Sequence, residues 1–140
     1  MSEQQNIETV QAMYAAFGRG DIQFILDHLT GDIVWTLEGP ASVPFSGERH
    51  GKAEVLGFFE ALAATQTNQK LTTDRWVAQG GTVASTGRYG ATVTATGKSY
   101  DSAQAHFFTF RDGKVSRFDD YVDTALVAEA YRESSAVTTA

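Results

Sequence analysis

The chain of 140 residues is 42% hydrophobic and 11% aromatic, and carries a formal charge of −6 from 17 acidic and 11 basic residues. This composition suits one globular domain that buries roughly two thirds of the surface its unfolded form exposes, and the scattered basic residues argue against a nucleic-acid partner. The absence of cysteine excludes disulfides and thiolate metal sites, no apolar run approaches the roughly 18 residues of a membrane span, and the polar start MSEQQNIETV lacks a leader's basic and apolar regions, so a cytoplasmic location is expected.

Ser2 and Gln5 have the spacing of a capping box, and Ile7, Val10, Met13, Tyr14 and Phe17 recur at helical spacing until Gly18 and Gly20. Asp21 can cap a second, shorter helix with Ile22, Ile25, Leu26 and Leu29 on one stripe. In DIVWTLEG the period changes to that of a strand, and the following GPASVPFSGERHG reads as a Gly/Pro-punctuated loop, a candidate lid carrying Phe45. A third helix is expected in KAEVLGFFEALAATQ, with Val55, Phe58, Phe59 and Leu62 on its inner face.

From Lys70 onward, turns at Gly80-Gly81, Thr96-Gly97 and Asp112-Gly113 separate four long strands, the pattern of an antiparallel meander. A short helix from Thr124 to about Tyr131 follows, and the segment 134–140 has too little apolar content to pack, so a disordered tail is expected beyond a single domain at 1–133. Helices first and paired strands later define an α+β domain. Gly87 and Gly90 permit strong bending of the sheet, and a bent sheet with helices on its concave face makes a cone with a hollow.

The order of elements, together with YAAFGRGD, SGERHG and above all FRDGKVSRFDDYVDTALVAEA, resembles the NTF2-like superfamily and, within it, the SnoaL-like polyketide cyclases and their ketosteroid-isomerase-like and limonene-epoxide-hydrolase-like relatives. The resemblance implies an NTF2-like cone, a homodimer through the outer sheet face, and acid–base chemistry without a cofactor.

Within SRFDDYVD, Asp123 precedes the last helix and reads as its N-cap. Asp119 and Asp120 are neighbours on a strand and so face opposite sides; periodicity leaves open which one sees the hollow. The resemblance implies that Asp120, the first aspartate of DYVD, is the acid or base, with Asp119 outside near Arg117. Burial in an apolar hollow disfavours the charged form of a carboxyl, the condition under which it serves proton transfer near neutrality.

Parity and the resemblance give Tyr89 as a catalytic partner and Phe17, Trp35, Leu37, Phe59, Gly87, Ala105, Phe107 and Phe118 as substrate-binding residues, with His106, Phe108 and Phe110 assigned to the outer face. Tyr14 falls one residue off the register of the family's tyrosine and is expected to point elsewhere. The two-aspartate, arginine machinery of limonene epoxide hydrolases is absent, because Tyr89 and Gly87 occupy the matching places, and the ketosteroid-isomerase set is incomplete, with Leu37, Met13 and Ala105 at its positions. His28, His50 and His106 lack metal-ligand spacing, so neither metal nor cofactor is expected. The expected function is a cyclase or isomerase acting on a small apolar carbonyl compound; a non-catalytic ligand-binding or assembly domain of the same fold is the alternative.

Overall fold

The computed structural model describes residues 2–133; the tail expected at 134–140 lies outside the described residues. Helix α1 (Glu3–Gly18) begins at Ser2, whose hydroxyl accepts the Gln5 N–H at 3.0 Å while Gln5 Oε1 accepts the Ser2 N–H at 2.9 Å. These reciprocal bonds satisfy donors that a helix start otherwise leaves free. Helix α2 (Ile22–Asp27) is capped by Asp21, which accepts from the Phe24 N–H. Leu29, expected on its stripe, instead opens strand β1 (Leu29–Leu37).

Strand β2 (Gly47–His50) lies within the segment expected to be a loop. It is four residues long and polar, so no alternation announces it, and it is held by antiparallel pairing with β1 from Val34–His50 to Leu37–Gly47. Helix α3 (Lys52–Thr65) then leads into β3 (Gln66–Gln79), β4 (Thr82–Val93), β5 (Ser99–Arg111), β6 (Lys114–Val122) and helix α4 (Thr124–Tyr131). The six strands form one curled, unclosed sheet in the order β2-β1-β6-β5-β4-β3. Only β1 and β6 run parallel; the other neighbours are antiparallel. Helix α1 lies against β3 and β4, α3 against β1 and α4 against β5, so the concave face carries the core.

Two irregularities set the shape of that face. Asp112 and Gly113 both have positive φ, 53° and 81°, as a two-residue hairpin requires. Such a turn pairs Phe110 with Val115, but Thr109 pairs with Arg117, which leaves Ser116 as an extra residue in β6. From there on every residue of β5 meets a different partner, and His106, not Ala105, stands opposite Asp120.

The second irregularity lies where β3 skips a residue between Thr73 and Arg75, opposite Gly87 and Thr86. A Cβ on Gly87 would stand 1.9 Å from the Thr72 carbonyl oxygen, so the backbones approach as closely as they do only because the residue is glycine.

Candidate active site

The concave face and the helices enclose a narrow pocket of about 80 Å³. Its walls are largely aromatic. The Trp35 and Phe118 rings lie 4.0 Å apart, centroid to centroid, and Phe58 and Phe59 meet Trp35 edge-on at 5.5 Å. Phe45, from the segment between β1 and β2, is buried and closes the wall against Phe58. Arg49 fixes that segment: its Nη1 donates to the Phe45 and Ser46 carbonyls, its guanidinium lies over Phe58, and partial burial lowers its pKa.

The aspartates of SRFDDYVD take three different positions. Asp123 caps α4, accepting the Leu126 N–H at 3.1 Å. Asp119 faces away from the pocket, where it accepts from Thr36 Oγ1 at 2.8 Å and from Arg117 Nε and Nη2. Asp120 lines the pocket with its side chain 10% exposed.

Three more side chains connect to Asp120 across the sheet. Ser85, His106 and Asp120 stand in register on β4, β5 and β6, and directly opposed residues share a face. His106 Nε2 is 3.2 Å from Asp120 Oδ1, His106 Nδ1 is 2.6 Å from the Tyr14 hydroxyl, and that hydroxyl is 2.7 Å from Ser85 Oγ. Burial, the largest cause, raises the Tyr14 pKa, so its phenol stays protonated. The Tyr14 hydroxyl thus bridges Ser85 Oγ and His106 Nδ1, and Nε2 is the ring nitrogen that faces Asp120. The approach of Nε2 is an ion-pair distance without hydrogen-bond alignment, and the shielded Asp120 Oδ1 has no hydrogen-bond donor.

A second polar group lies four residues along β4. Tyr89 donates to Gln66 Oε1 at 2.7 Å, and the Gln66 amide donates to Tyr100 at 2.5 Å and to Tyr131 at 2.9 Å. Thr65 Oγ1 gives its proton to the Ala61 carbonyl and therefore accepts from Tyr131, at 2.8 Å. Burial is the main cause raising the pKa of Tyr89, Tyr100 and Tyr131.

Of the residues expected at the site, Asp120, Tyr89, Phe17, Trp35, Leu37, Phe59 and Phe118 line the pocket; Gly87, Ala105 and Phe107 do not. Gly87 is on the inner side, but β3 occupies its space. Ala105 and Phe107 point outward because the extra residue Ser116 reverses the parity of β5, and Phe107 is 41% exposed. The same reversal carries His106 and Phe108, expected on the outer face, into the pocket. Tyr89 lines the pocket, yet its hydroxyl bonds to Gln66 and takes no part in the Asp120 chain. Tyr14, expected to point elsewhere, is the link between His106 and Ser85; its place on the apolar stripe of α1 was the available signal. Gln66 and Tyr100 were also missed, while Phe45, carried by the expected lid segment, lines the pocket. Among the described residues no cluster of histidines and carboxylates has the arrangement of a metal site, and no helix is long and apolar enough to cross a membrane.

This architecture defines an NTF2-like domain with a polar chain buried in an apolar pocket. The model of the SnoaL-like domain matches residues 10–118, and the chain belongs to that family. Among curated proteins none matches the sequence. Solved structures are similar over almost the whole chain. An NTF2-like protein of unknown function from Burkholderia pseudomallei is 28% identical, with 94% of this chain and 98% of that one covered and a TM-score of 0.85. TerC, co-crystallised with polyporic acid, is 29% identical, with 91% and 98% covered and a TM-score of 0.82. A protein from Rhodopseudomonas palustris described as a candidate isomerase is 25% identical, with 93% and 98% covered and a TM-score of 0.76.

Proposed function

We propose that the protein is a cofactor-independent enzyme of the cyclase or isomerase type, moving a proton on a small apolar carbonyl compound held in the pocket. The observation that carries this reading is the shielded Asp120 oxygen without a donor, set in aromatic walls and approached by an imidazole nitrogen at 3.2 Å. The part of the Asp120 side chain that stays accessible, 10%, belongs to the pocket lining, and a substrate proton can meet it there. His106, steadied by Tyr14 and Ser85, offers positive polarity to the carboxylate without saturating it. The relative crystallised with polyporic acid supports a ligand in this kind of pocket.

The exposed pair of Phe107 and Tyr121, in edge contact at 5.9 Å on the outer face of the sheet, supports a second copy of the chain as partner there. This is the place expected for a homodimer, with different aromatics from those foreseen.

The test is turnover of a panel of ketones, epoxides and lactones by the wild type and by Asp120→Asn, with melting temperature recorded for both. Loss of ketone turnover in a variant that melts near the wild type supports the reading. Undiminished turnover overturns it. Ligand-induced stabilisation of the wild type without chemistry on any compound transfers the protein to the binding class.

A further inference from the structure

Most of the pocket lining is buried, but Tyr14, Phe17 and Leu71 are half-buried. The same three side chains line a second hollow on their other side, a groove of about 540 Å³ between the C-terminal end of α1 and β3. One layer of side chains therefore separates the pocket from the groove. The elements that carry this layer are loosely held there. α1 ends one residue after Phe17, and at Gly18 and Gly20 a Cβ would meet no atom within 4 Å. β3 is an edge strand of the sheet, and its pairing with β4 shifts between Thr67 and Lys70, where Asn68 has a positive φ of 54°; such a bulge leaves residues outside the ladder. Tyr14 is anchored by its bonds to Ser85 and His106, whereas Phe17 and Leu71 rest on the core by apolar contact. The wall at Phe45 differs. Val43 and Phe45 are buried, Ser46 Oγ donates to the Pro40 and Val43 carbonyls, and Arg49 Nη1 donates to the Phe45 and Ser46 carbonyls. The segment expected to be a lid is fastened in place.

We infer that small solutes pass between solvent and the pocket through the α1–β3 groove, with Phe17 and Leu71 as the door and Tyr14 as its fixed side, and not beneath the Phe45 segment. The inference concerns the wall of the pocket, so it holds for an enzyme and for a binding protein alike and does not rest on proton transfer by Asp120. A change of rotamer at two partly exposed side chains joins the hollows without breaking any hydrogen bond of the sheet, and such changes are among the fastest motions of a folded chain. Lifting the Phe45 segment instead returns the buried side chains of Val43 and Phe45 to water, which is unfavourable in proportion to the apolar area exposed.

The test reads the shielding of Trp35, which lines the pocket and is 4% exposed. The other tryptophan is Trp76, so in a Trp76→Phe background the fluorescence lifetime measured against acrylamide concentration gives the rate at which a small solute reaches Trp35. Phe17→Ala and Leu71→Ala should each raise this rate several-fold, and Arg49→Met, which unfastens the Phe45 segment, should leave it unchanged. The chain has no cysteine, so Gly18→Cys, at a groove position where a side chain meets no neighbour, takes N-cyclohexylmaleimide at that one place. This plug should return the Phe17→Ala rate to that of the protein with its door intact. Melting temperatures establish that each variant is folded, and Leu71→Ala with the same plug decides the matter where Phe17→Ala does not fold. No rise with the door variants, a larger rise with Arg49→Met than with either of them, or a rise that the plug does not reverse each overturns the inference, the last because a loosened core and not the groove would then admit the solute. The readout involves no turnover, so an inactive Asp120 leaves the route standing, and a shielded Trp35 in both door variants removes the route while leaving the acid–base reading as it was.

Discussion

Gln66 ties the phenols of Tyr89, Tyr100 and Tyr131 into a group in which every polar heavy atom has a partner, whereas the chain from Ser85 through Tyr14 and His106 ends on a carboxylate oxygen that has none. Both groups lie on the concave face, both are buried, and both join strands to helices. They differ in what remains unbonded. A buried network whose members satisfy one another rigidifies a core, while the other ends on the carboxyl to which the proposed proton transfer is assigned. Tyr89 and Asp120, expected to act together, belong to different groups for this reason.

Substitutions at the two groups should separate function from stability. The largest effect is expected for Asp120→Asn, with turnover lower by about 10²–10⁴-fold, the usual contribution of a positioned acid or base, and a melting temperature within a few degrees of the wild type. Gln66→Leu should do the opposite. Tyr89 and Tyr100 lose their partner while Tyr131 keeps Thr65, at a total of about 2–4 kcal/mol, and thermal denaturation should show a fall of roughly 6–15 °C for a domain of this size, with turnover per folded molecule nearly unchanged. A Gln66→Leu variant as stable as the wild type would erase the distinction.

Tyr14→Phe should have an intermediate outcome, because it removes the bond that fixes the imidazole and leaves the aromatic packing in place. About tenfold lower turnover is expected, with a melting temperature close to that of the wild type. Turnover equal to that of the wild type would show that His106 needs no support from α1.

The smallest effect concerns alkali. The pKa values of Tyr14, Tyr89, Tyr100 and Tyr131 are raised above the ordinary phenol value of 10.0, with burial as the main cause. A raised folded-state pKa contributes stability that is fully present below the unfolded value and is lost as pH rises toward the folded one. Spectrophotometric titration should therefore show these phenols still protonated just above pH 10, with their ionisation coupled to unfolding at higher pH. Reversible ionisation of all of them near the ordinary value, with the fold intact, would contradict their burial.

Much of this was legible in the sequence because local chemistry announced it. The capping box at Ser2, the turn at Asp112-Gly113 and the cap at Asp123 each need only a few neighbouring residues, and each is where the spacing put it. The separate roles of Asp119 and Asp120 follow from strand parity once one of them is assigned inward.

The rest depends on contacts between segments. Ser116 carries no mark of a bulge, yet this one extra residue decides that His106 and Phe108 enter the pocket while Ala105 and Phe107 leave it. The polar GERH segment forms β2 only because β1 offers an edge. Gln66 sits where a helix passes into a strand, and nothing in its neighbours shows that three distant tyrosines converge on it.

The most direct measurement of the central claim is hydrogen exchange at carbon. With 1-tetralone in D₂O near neutral pH, proton NMR should show loss of the signal from the hydrogens beside the carbonyl faster with the wild-type protein than in buffer, and at the buffer rate with Asp120→Asn. Equal acceleration by the two proteins, or none by the wild type, would contradict the account of Asp120 as the group that takes the proton.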